Sequence, residues 1–582
     1  MKKLLNLNNL WSDALVNQLV DLGVEYVCIS PGSRSTPLVS AFHNAEKIKK
    51  YVIIDERSSA FFALGIAKKT GRPVAVVTTS GTAVAELYPA IIEAYFSRTP
   101  LIILTADRPG YEHGCGANQT INQQNIFANH IRYFYDAGLP ELQLEKFQEF
   151  RSKVFEAVKI SAYSNKGPVH INLPFEKPLE RTSLDCELDE DLINQFIAPH
   201  SFQIEELNEP EELSTVANQI LNYRRGTIFC GIDNYSEEDF NRIIDLAEVS
   251  GYPILADVSS GLSFGRSENK EIISNHPLFL KDISITQKLQ PELILQFGRA
   301  SVNNSVLDFY KNSKCSKILV NKFGDLNDPS KTAEKIIKMK PANFCNEILQ
   351  IIKEKEIEKN TGWLDEFIRL DEKTEKIKSN FLDETDLSFE GNTIQKIIAN
   401  LPENCNLILG NSMPIRDFEL FCGKVKKRIN VFPNRGASGI DGLISTALGI
   451  SAVSDSPTFL LIGDMSFIYD LNALVSAAML KIPLNILLIN NNGGHIFDML
   501  PVSSDKEILP DYFTVPHNFN LAKIIKAAGA EYFSVDYPHD FEQIANVLPE
   551  DKKLSVFEFK TDGENSAKLR KQFFEILING IE

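Results

Sequence analysis

The chain has 582 residues, too many for a single hydrophobic core, so several domains are expected. Its composition, 43% hydrophobic and 24% charged, is that of a globular protein, and a formal net charge of −17 argues against a general nucleic-acid binder. Eight scattered cysteines form no CxxC pair, which argues against a zinc site and for a reducing cytoplasm. The opening MKKLLNLNNLWSDALVNQL is interrupted at once by Asn and Asp, unlike a signal peptide. No apolar run approaches the length of a bilayer span, so a soluble protein without a membrane partner is expected.

Along the chain, apolar strand-like runs alternate with helical patterns in three blocks. In residues 1–182 the strand candidates are VEYVCIS (24–30), PVAVVTT (73–79), PLIILTA (100–106) and GPVHINLP (167–174), with helical periodicity at Ser58–Lys69 and Val84–Phe96. An acidic, weakly apolar stretch from Arg181 to Glu212 reads as a linker. Residues 200–352 continue with GTIFCGI (226–232), YPILADV (252–258), PELILQFG (291–298) and SKILVNK (316–322), and carry no G-x-G-x-x-G to suggest a dinucleotide. The charged segment Ile352–Glu384 reads as a solvated helix or connection. Residues 385–582 hold NLILGN (406–411), RINVFPN (428–434), TFLLIG and PLNILLI. This alternation predicts an α/β protein of three doubly wound parallel sheets.

The third block carries the most pointed chemistry. TFLLI ends in Gly463-Asp464, a helix is predicted between Phe467 and Leu480, and PLNILLI ends in Asn490-Asn491-Asn492-Gly493-Gly494. Strands joined through a helix run parallel, so Asp464 and the asparagine triplet, 27 positions on at Asn491, should meet at one edge of the sheet. Ligands bind at that edge in open α/β sheets, and hard oxygen donors there suit Mg²⁺. The simpler reading has Asp464 capping a helix and the asparagines forming a turn.

In the first block, a strand runs into Asp55-Glu56-Arg57 and a helix follows. Either Asp55 caps that helix and Glu56 favours its positive end, or Glu56 is a partly buried carboxyl placed to hydrogen-bond a heterocycle. Ser80 and Gly81, in TSGTAV, offer free N–H groups at a helix start or form a tight turn. Ser33-Arg34, Arg108, Arg416 and Arg435 each follow a strand candidate. One such arginine is usually a surface ion pair, but four in an acidic chain predict substrates with several carboxylates.

GDMS followed by NNNGG is similar to the thiamine diphosphate motif. SPGSRSTPL, DERSSAFFALGIAKKTG, TSGTAVAELYPAIIEA, LTADRPG, GCGANQTINQ, GNSMPIRDFE, NRGASGIDG and INNNGGHIFDMLP together resemble one subfamily, the 2-succinyl-5-enolpyruvyl-6-hydroxy-3-cyclohexene-1-carboxylate synthases (MenD). The resemblance runs from Ser30 to about Pro501 through blocks one and three, and the middle block carries little of it. It implies a pyrimidine-binding domain at 1–182, a central domain without cofactor at 200–352 and a diphosphate-binding domain at 385–582. It also implies a homodimer or homotetramer whose site lies between subunits. The reaction implied is decarboxylation of 2-oxoglutarate and 1,4-addition of the succinyl carbanion to isochorismate. Another thiamine diphosphate-dependent 2-oxo acid decarboxylase or carboligase stays as the alternative, as does a non-catalytic cofactor sensor.

By the same resemblance Asp464, Asn491 and the Gly493 carbonyl hold Mg²⁺ or Mn²⁺. Ser80, Gly81, Asn411, Ser412, Gly436, Ala437, Ser438, Met465, Ser466, Gly494 and Ile496 belong to the cofactor pocket. Ile440 holds the cofactor bent and Glu56 contacts its aminopyrimidine. Ser33, Arg34, Arg108, Asn118, Gln119 and Arg416 contact substrate carboxylates and hydroxyls, Arg435 receives the succinyl carboxylate, and Ile496, Phe497 and Leu500 form an apolar wall, although ordinary core packing also accounts for Phe497. One departure stands out: where relatives carry a Lys or Arg in the central-domain loop, this chain has Asn303 and Asn304, with Arg299 a few residues earlier.

Overall fold

The computed structural model describes residues 3–4, 6–181, 187–188, 213–301, 303–353, 355, 360–546 and 553–581. Most of the acidic stretch expected as a linker lies outside these residues. Within it, Glu187–Leu188 pairs antiparallel with Lys3–Leu4.

Three six-stranded sheets organise the chain. The first contains β1 (Tyr26–Ile29), β2 (Lys49–Val52), β3 (Val74–Thr78), β4 (Leu101–Asp107), β5 (Tyr133–Asp136) and β6 (Val169–Pro174), in the order β2-β1-β3-β4-β6-β5. The middle sheet contains β7 (Gly226–Cys230), β8 (Ile254–Ala256), β9 (Ile272–Ile273), β10 (Leu293–Phe297), β11 (Ser316–Asn321) and β12 (Lys335–Lys338), in the order β9-β8-β7-β10-β11-β12. The third contains β13 (Cys405–Leu409), β14 (Ile429–Pro433), β15 (Thr458–Gly463), β16 (Leu484–Asn490), β17 (Glu531–Ser534) and β18 (Leu554–Lys560), in the order β14-β13-β15-β16-β18-β17. Every pairing inside these sheets is parallel, as the strand–helix alternation requires. The first and third sheets share one topology, whereas the middle one has the strand order of dinucleotide-binding folds.

The first and third units are fused through one apolar core. Helix Glu56–Thr70 crosses helix Leu443–Ser451, and residues Ala60–Ala67 share a buried cluster with Leu443, Ile444, Ala447, Leu448 and Ile450. The approach is backbone to backbone. A Cβ at Gly65 would overlap the Thr446 carbonyl oxygen, and one at Gly449 would overlap the Phe62 carbonyl oxygen.

Some expected elements differ. The helix predicted between Phe467 and Leu480 is two helices, Asp464–Tyr469 and Asn472–Leu480. At the break, the buried Asp470 carboxylate accepts hydrogen bonds from the Ser445 backbone N–H at 2.8 Å and hydroxyl at 3.2 Å. Val84–Phe96 divides into Thr82–Glu86 and Tyr88–Phe96, next to Pro89, which cannot donate to a continuing helix. The charged segment before residue 384 is more than a solvated connection. Its helix Thr361–Asp383 buries Trp363, Phe367, Leu370 and Phe381 against Phe573 and Leu577 of the last helix. Trp363, Phe367 and Leu370 are spaced by four and three residues and Phe381 follows eleven later, about three turns on, so one stripe is apolar; Asp371 and Lys378 of the same helix are buried too, both bound to Asn275.

Candidate cofactor and metal site

β15 and β16 are parallel neighbours with Gly463 opposite Ile489, so Asp464 and the asparagine triplet leave the sheet at the same edge. Asp464 does not cap its helix. Its Oδ1 accepts from the Met465 N–H at 2.7 Å, while Oδ2 accepts from the Gly493 N–H at 2.9 Å and lies 3.2 Å from His517 Nε2. Burial pushes this carboxyl up from its ordinary range, and the His517 contact opposes that.

The three asparagines have different jobs. Asn490 donates to Glu558 Oε1 at 2.6 Å and accepts from the Asn492 N–H at 3.1 Å, which is the turn the simpler reading expected. Asn492 donates to Asn518 Oδ1 at 2.9 Å and accepts from its N–H at 2.8 Å. Asn491 donates its amide to Glu390 Oε1 at 2.6 Å, and its Oδ1 is buried with no hydrogen-bond partner. Leaving a buried carbonyl oxygen unpaired is costly, so that atom is shaped for a ligand such as a cation. Among the described residues no group of three His, Cys, Asp or Glu could hold a metal ion, so any cation here would need neutral oxygens beside Asp464.

A cavity of about 420 Å³ opens at this edge. Ser412, Arg416, Arg435, Ser438, Ile440, Asp464, Met465, Ser466, Asn491, Gly493, Gly494, Ile496, Phe497 and Leu500 all line it. Ser412 and Ser438 hold left-handed backbones, with φ of 72° and 64°, a strain typical of residues fixed at a site. Ile440 stays 36% exposed, a large apolar side chain offered to the cavity. Phe497 packs edge-on to Phe513 at 5.2 Å, and His495, which also lines the cavity, is bound to Asp498 at 2.6 Å. Arg416 donates to the Ser412 carbonyl at 2.7 Å, and Arg435 donates to Asn411 Oδ1 at 2.9 Å while its buried Nε has no partner.

Three expected members from the third unit stand outside the cavity. Asn411 is buried behind it, donating to the carbonyls of Asn434 and Gly439 at 2.8 and 2.6 Å. Gly436 and Ala437 give their N–H groups to the Glu93 carboxylate of the first unit at 2.9 and 2.7 Å.

The first unit supplies a second cluster. Asp55 caps helix Glu56–Thr70, accepting from Arg57 and Ser58 N–H at 2.8 and 3.2 Å, which leaves Glu56 in the first turn. Burial pushes the Glu56 carboxyl up, and the charges of Asp55 and Glu86 add to this. Gly81, at φ 91°, donates to Gln123 Oε1 at 3.0 Å. Ser80 and Gln119 exchange hydrogen bonds at 3.0 and 3.1 Å. Arg34 is buried and donates to the Phe175 carbonyl at 2.7 Å, with burial and then the Arg108 charge lowering its proton affinity. Arg108 pairs with Glu112 at 3.0 Å and keeps a buried, unpartnered Nε, while Ser33 and Asn118 are exposed. None of these residues lines the third-unit cavity, whose described lining runs from Glu390 to Phe513.

Arg299 does not reach the cavity. It donates to the carbonyls of Arg435 and Gly436 at 2.9 and 3.3 Å, behind the loop. Asn303 donates to Glu419 Oε2 at 2.9 Å and caps the helix Asn304–Asn312. Glu390, His517 and Glu93 escaped the sequence reading because no local pattern marks them. Their partners lie 101, 53 and 343 positions away.

Two sheets of one topology flanking a middle one, with a polar oxygen-donor edge on the third, are features of thiamine pyrophosphate enzymes. Residues 11–126 match the N-terminal TPP binding domain of those enzymes, 194–409 their middle domain and 423–559 their C-terminal TPP binding domain. Proteins named 2-succinyl-5-enolpyruvyl-6-hydroxy-3-cyclohexene-1-carboxylate synthase are similar throughout. That of Bacillus cytotoxicus is 34% identical over 96% of this chain and 95% of its own length. That of Bacillus velezensis is 34% identical over 98% and 97%, and that of Geobacillus kaustophilus 34% over 97% and 96%. The chain belongs to this synthase family.

Proposed function

We propose that this protein is a 2-succinyl-5-enolpyruvyl-6-hydroxy-3-cyclohexene-1-carboxylate synthase, a transferase of menaquinone biosynthesis. It decarboxylates 2-oxoglutarate and adds the remaining succinyl unit to isochorismate in a 1,4 sense. The observation that carries the reading is the buried, unpartnered Asn491 Oδ1 on the strand end beside Asp464. Those two atoms and the Gly493 carbonyl would hold Mg²⁺ or Mn²⁺, one carboxylate supplying charge while coordination positions remain for phosphate oxygens. When bound, thiamine diphosphate would supply a nucleophilic carbon and a cationic thiazolium ring that serves as an electron sink.

The chain's own groups do the rest. Glu56, its carboxyl pushed up by burial, holds a proton against the aminopyrimidine nitrogen. Ile440 would support the cofactor, and Ser412, Ser438, Met465, Ser466, Gly494 and Ile496 would form the surrounding wall. Arg435 takes the succinyl carboxylate, with Arg416 beside it and Ile496, Phe497 and Leu500 excluding water. Ser33, Arg34, Arg108, Asn118 and Gln119, together with Ser80 and Gly81, serve as the other half of the site. Because none of these first-unit residues lines the third-unit cavity among the described residues, the reading places each site between two copies, in a dimer or tetramer. The domain limits 1–182, 200–352 and 385–582 belong to the same proposal. So does a cytoplasmic location, supported by the seven described cysteines, all of them free, and by the absence of a membrane-length apolar helix among the described residues.

The test is an assay of purified protein with Mg²⁺, thiamine diphosphate, 2-oxoglutarate and isochorismate, following the loss of isochorismate. Carboligation with a plain aldehyde but not with isochorismate would mark a different carboligase, and binding without turnover would mark a sensor.

A further inference from the structure

Arg435 sits on a loop that is gripped from outside its own unit. Glu93, on helix Tyr88–Phe96 of the first unit, is 3% exposed and uses both carboxylate oxygens. Oε1 accepts from the Gly436 N–H at 2.9 Å and from Lys68 Nζ at 3.2 Å, and Oε2 accepts from the Ala437 N–H at 2.7 Å. Two successive backbone N–H groups make a small anion-binding concavity, here filled by a side chain from another unit. The fit requires glycine: a Cβ at Gly436 would overlap the Glu93 carbonyl oxygen and lie 2.8 Å from Oε2.

Lys68 completes the grip. Its other donors go to the Pro433 carbonyl and Asn434 Oδ1, each at 2.7 Å, so one ammonium ion ties Glu93 to the strand that launches the loop. Arg299, from the middle unit, holds the carbonyls of Arg435 and Gly436. The far side of the loop is anchored by Asn411, which donates to the Gly439 carbonyl at 2.6 Å. The Arg435 end is therefore held by the first and middle units as well as by Asn411, which accepts from Arg435 at 2.9 Å and donates to the Asn434 carbonyl at 2.8 Å, whereas the Ser438–Ile440 end is held from the third unit.

We infer that Glu93 is a positioning residue for substrate recognition: its clamp on Gly436 and Ala437 fixes the backbone from which Arg435 reaches a substrate carboxylate. This rests on the assignment of Arg435 to the succinyl carboxylate. Glu93 touches neither the cavity nor any reacting group, and it acts only through the loop.

The test measures KM for 2-oxoglutarate and half-saturation by thiamine diphosphate in Glu93→Gln, Arg435→Gln and the double variant. A glutamine offers one acceptor for two N–H groups, so Glu93→Gln should raise KM about tenfold or more while cofactor half-saturation moves less than about threefold. The double variant should show a KM close to that of Arg435→Gln alone, because both changes remove one function. A KM within about twofold of the parent in folded Glu93→Gln protein, or fully additive effects in the double variant, overturns the inference. An unchanged KM in Arg435→Gln instead refutes the assignment of Arg435 itself. If Glu93→Gln does not fold, Gly436→Ala pushes the carboxylate off the loop without altering Glu93, and the same KM criteria apply.

Discussion

Asn491 donates its amide to Glu390 Oε1 at 2.6 Å, and this single bond decides which atom of the side chain faces the cavity. With the nitrogen committed to Glu390, Oδ1 is left buried and free for a cation. Glu390 is held in turn by Arg570, a buried guanidinium that also binds Asp417 through two hydrogen bonds.

Replacing Glu390 by Gln should therefore weaken metal binding without touching a metal ligand. The amide can present N–H instead of oxygen to Asn491, so the Asn491 side chain loses its fixed orientation. Half-saturation by Mg²⁺ should rise by roughly tenfold to a hundredfold, the range for groups that orient a metal ligand. Activity titrated with Mg²⁺ at saturating thiamine diphosphate checks this.

Glu56→Gln separates binding from proton handling. Cofactor affinity in the presence of Mg²⁺ should stay within about tenfold, while turnover falls by roughly two decades or more. Unchanged turnover would remove Glu56 from the mechanism.

A pH effect is expected at Glu419. Burial, and next the Asp257 charge, push its carboxyl up to about 8, against the Asn303 hydrogen bond and the charges of Arg416 and Arg435; Lys281 is a further charged neighbour. A carboxyl with a raised folded-state pKa stabilises the fold while protonated, and that stabilisation is lost as pH rises toward and through about 8. Glu419→Gln, which mimics the neutral acid, should match the parent in Tm near pH 5 and exceed it at pH 9. Parallel Tm profiles for the two proteins across that range would contradict this.

The helix crossing that joins the first and third units should tolerate no side chain. Gly65→Ala places a methyl group against the Thr446 carbonyl, where neither backbone can yield cheaply. Overpacking of this kind costs on the order of 1–3 kcal/mol, visible as a lower denaturation midpoint with an unchanged urea m-value.

Most of the strands that escaped the sequence reading within the three sheets share a position. Tyr133–Asp136, Ile272–Ile273, Lys335–Lys338 and Glu531–Ser534 are all sheet edges. An edge strand is covered on fewer sides, so Lys335–Lys338 reads KIIK, with lysines at both ends, and lacks the continuous apolar run that marks a buried parallel strand. Leu554–Lys560, an interior strand, also went unassigned although its first six residues are buried. The interior strands Val74–Thr78 and Leu101–Asp107 were legible because every residue in them is buried.

By itself the sequence determined that Asp464 and the asparagine triplet share a sheet edge, because strand–helix–strand connectivity and parallel pairing are local consequences of hydrophobic periodicity. Only the tertiary structure decided that Asn491 is the asparagine turned to the cavity, that Glu390 orients it, and that Glu93 holds the Arg435 loop. The physical reason is that a buried polar atom must find a partner wherever the fold brings one. Partners 101 or 343 positions away leave no periodic trace in the chain.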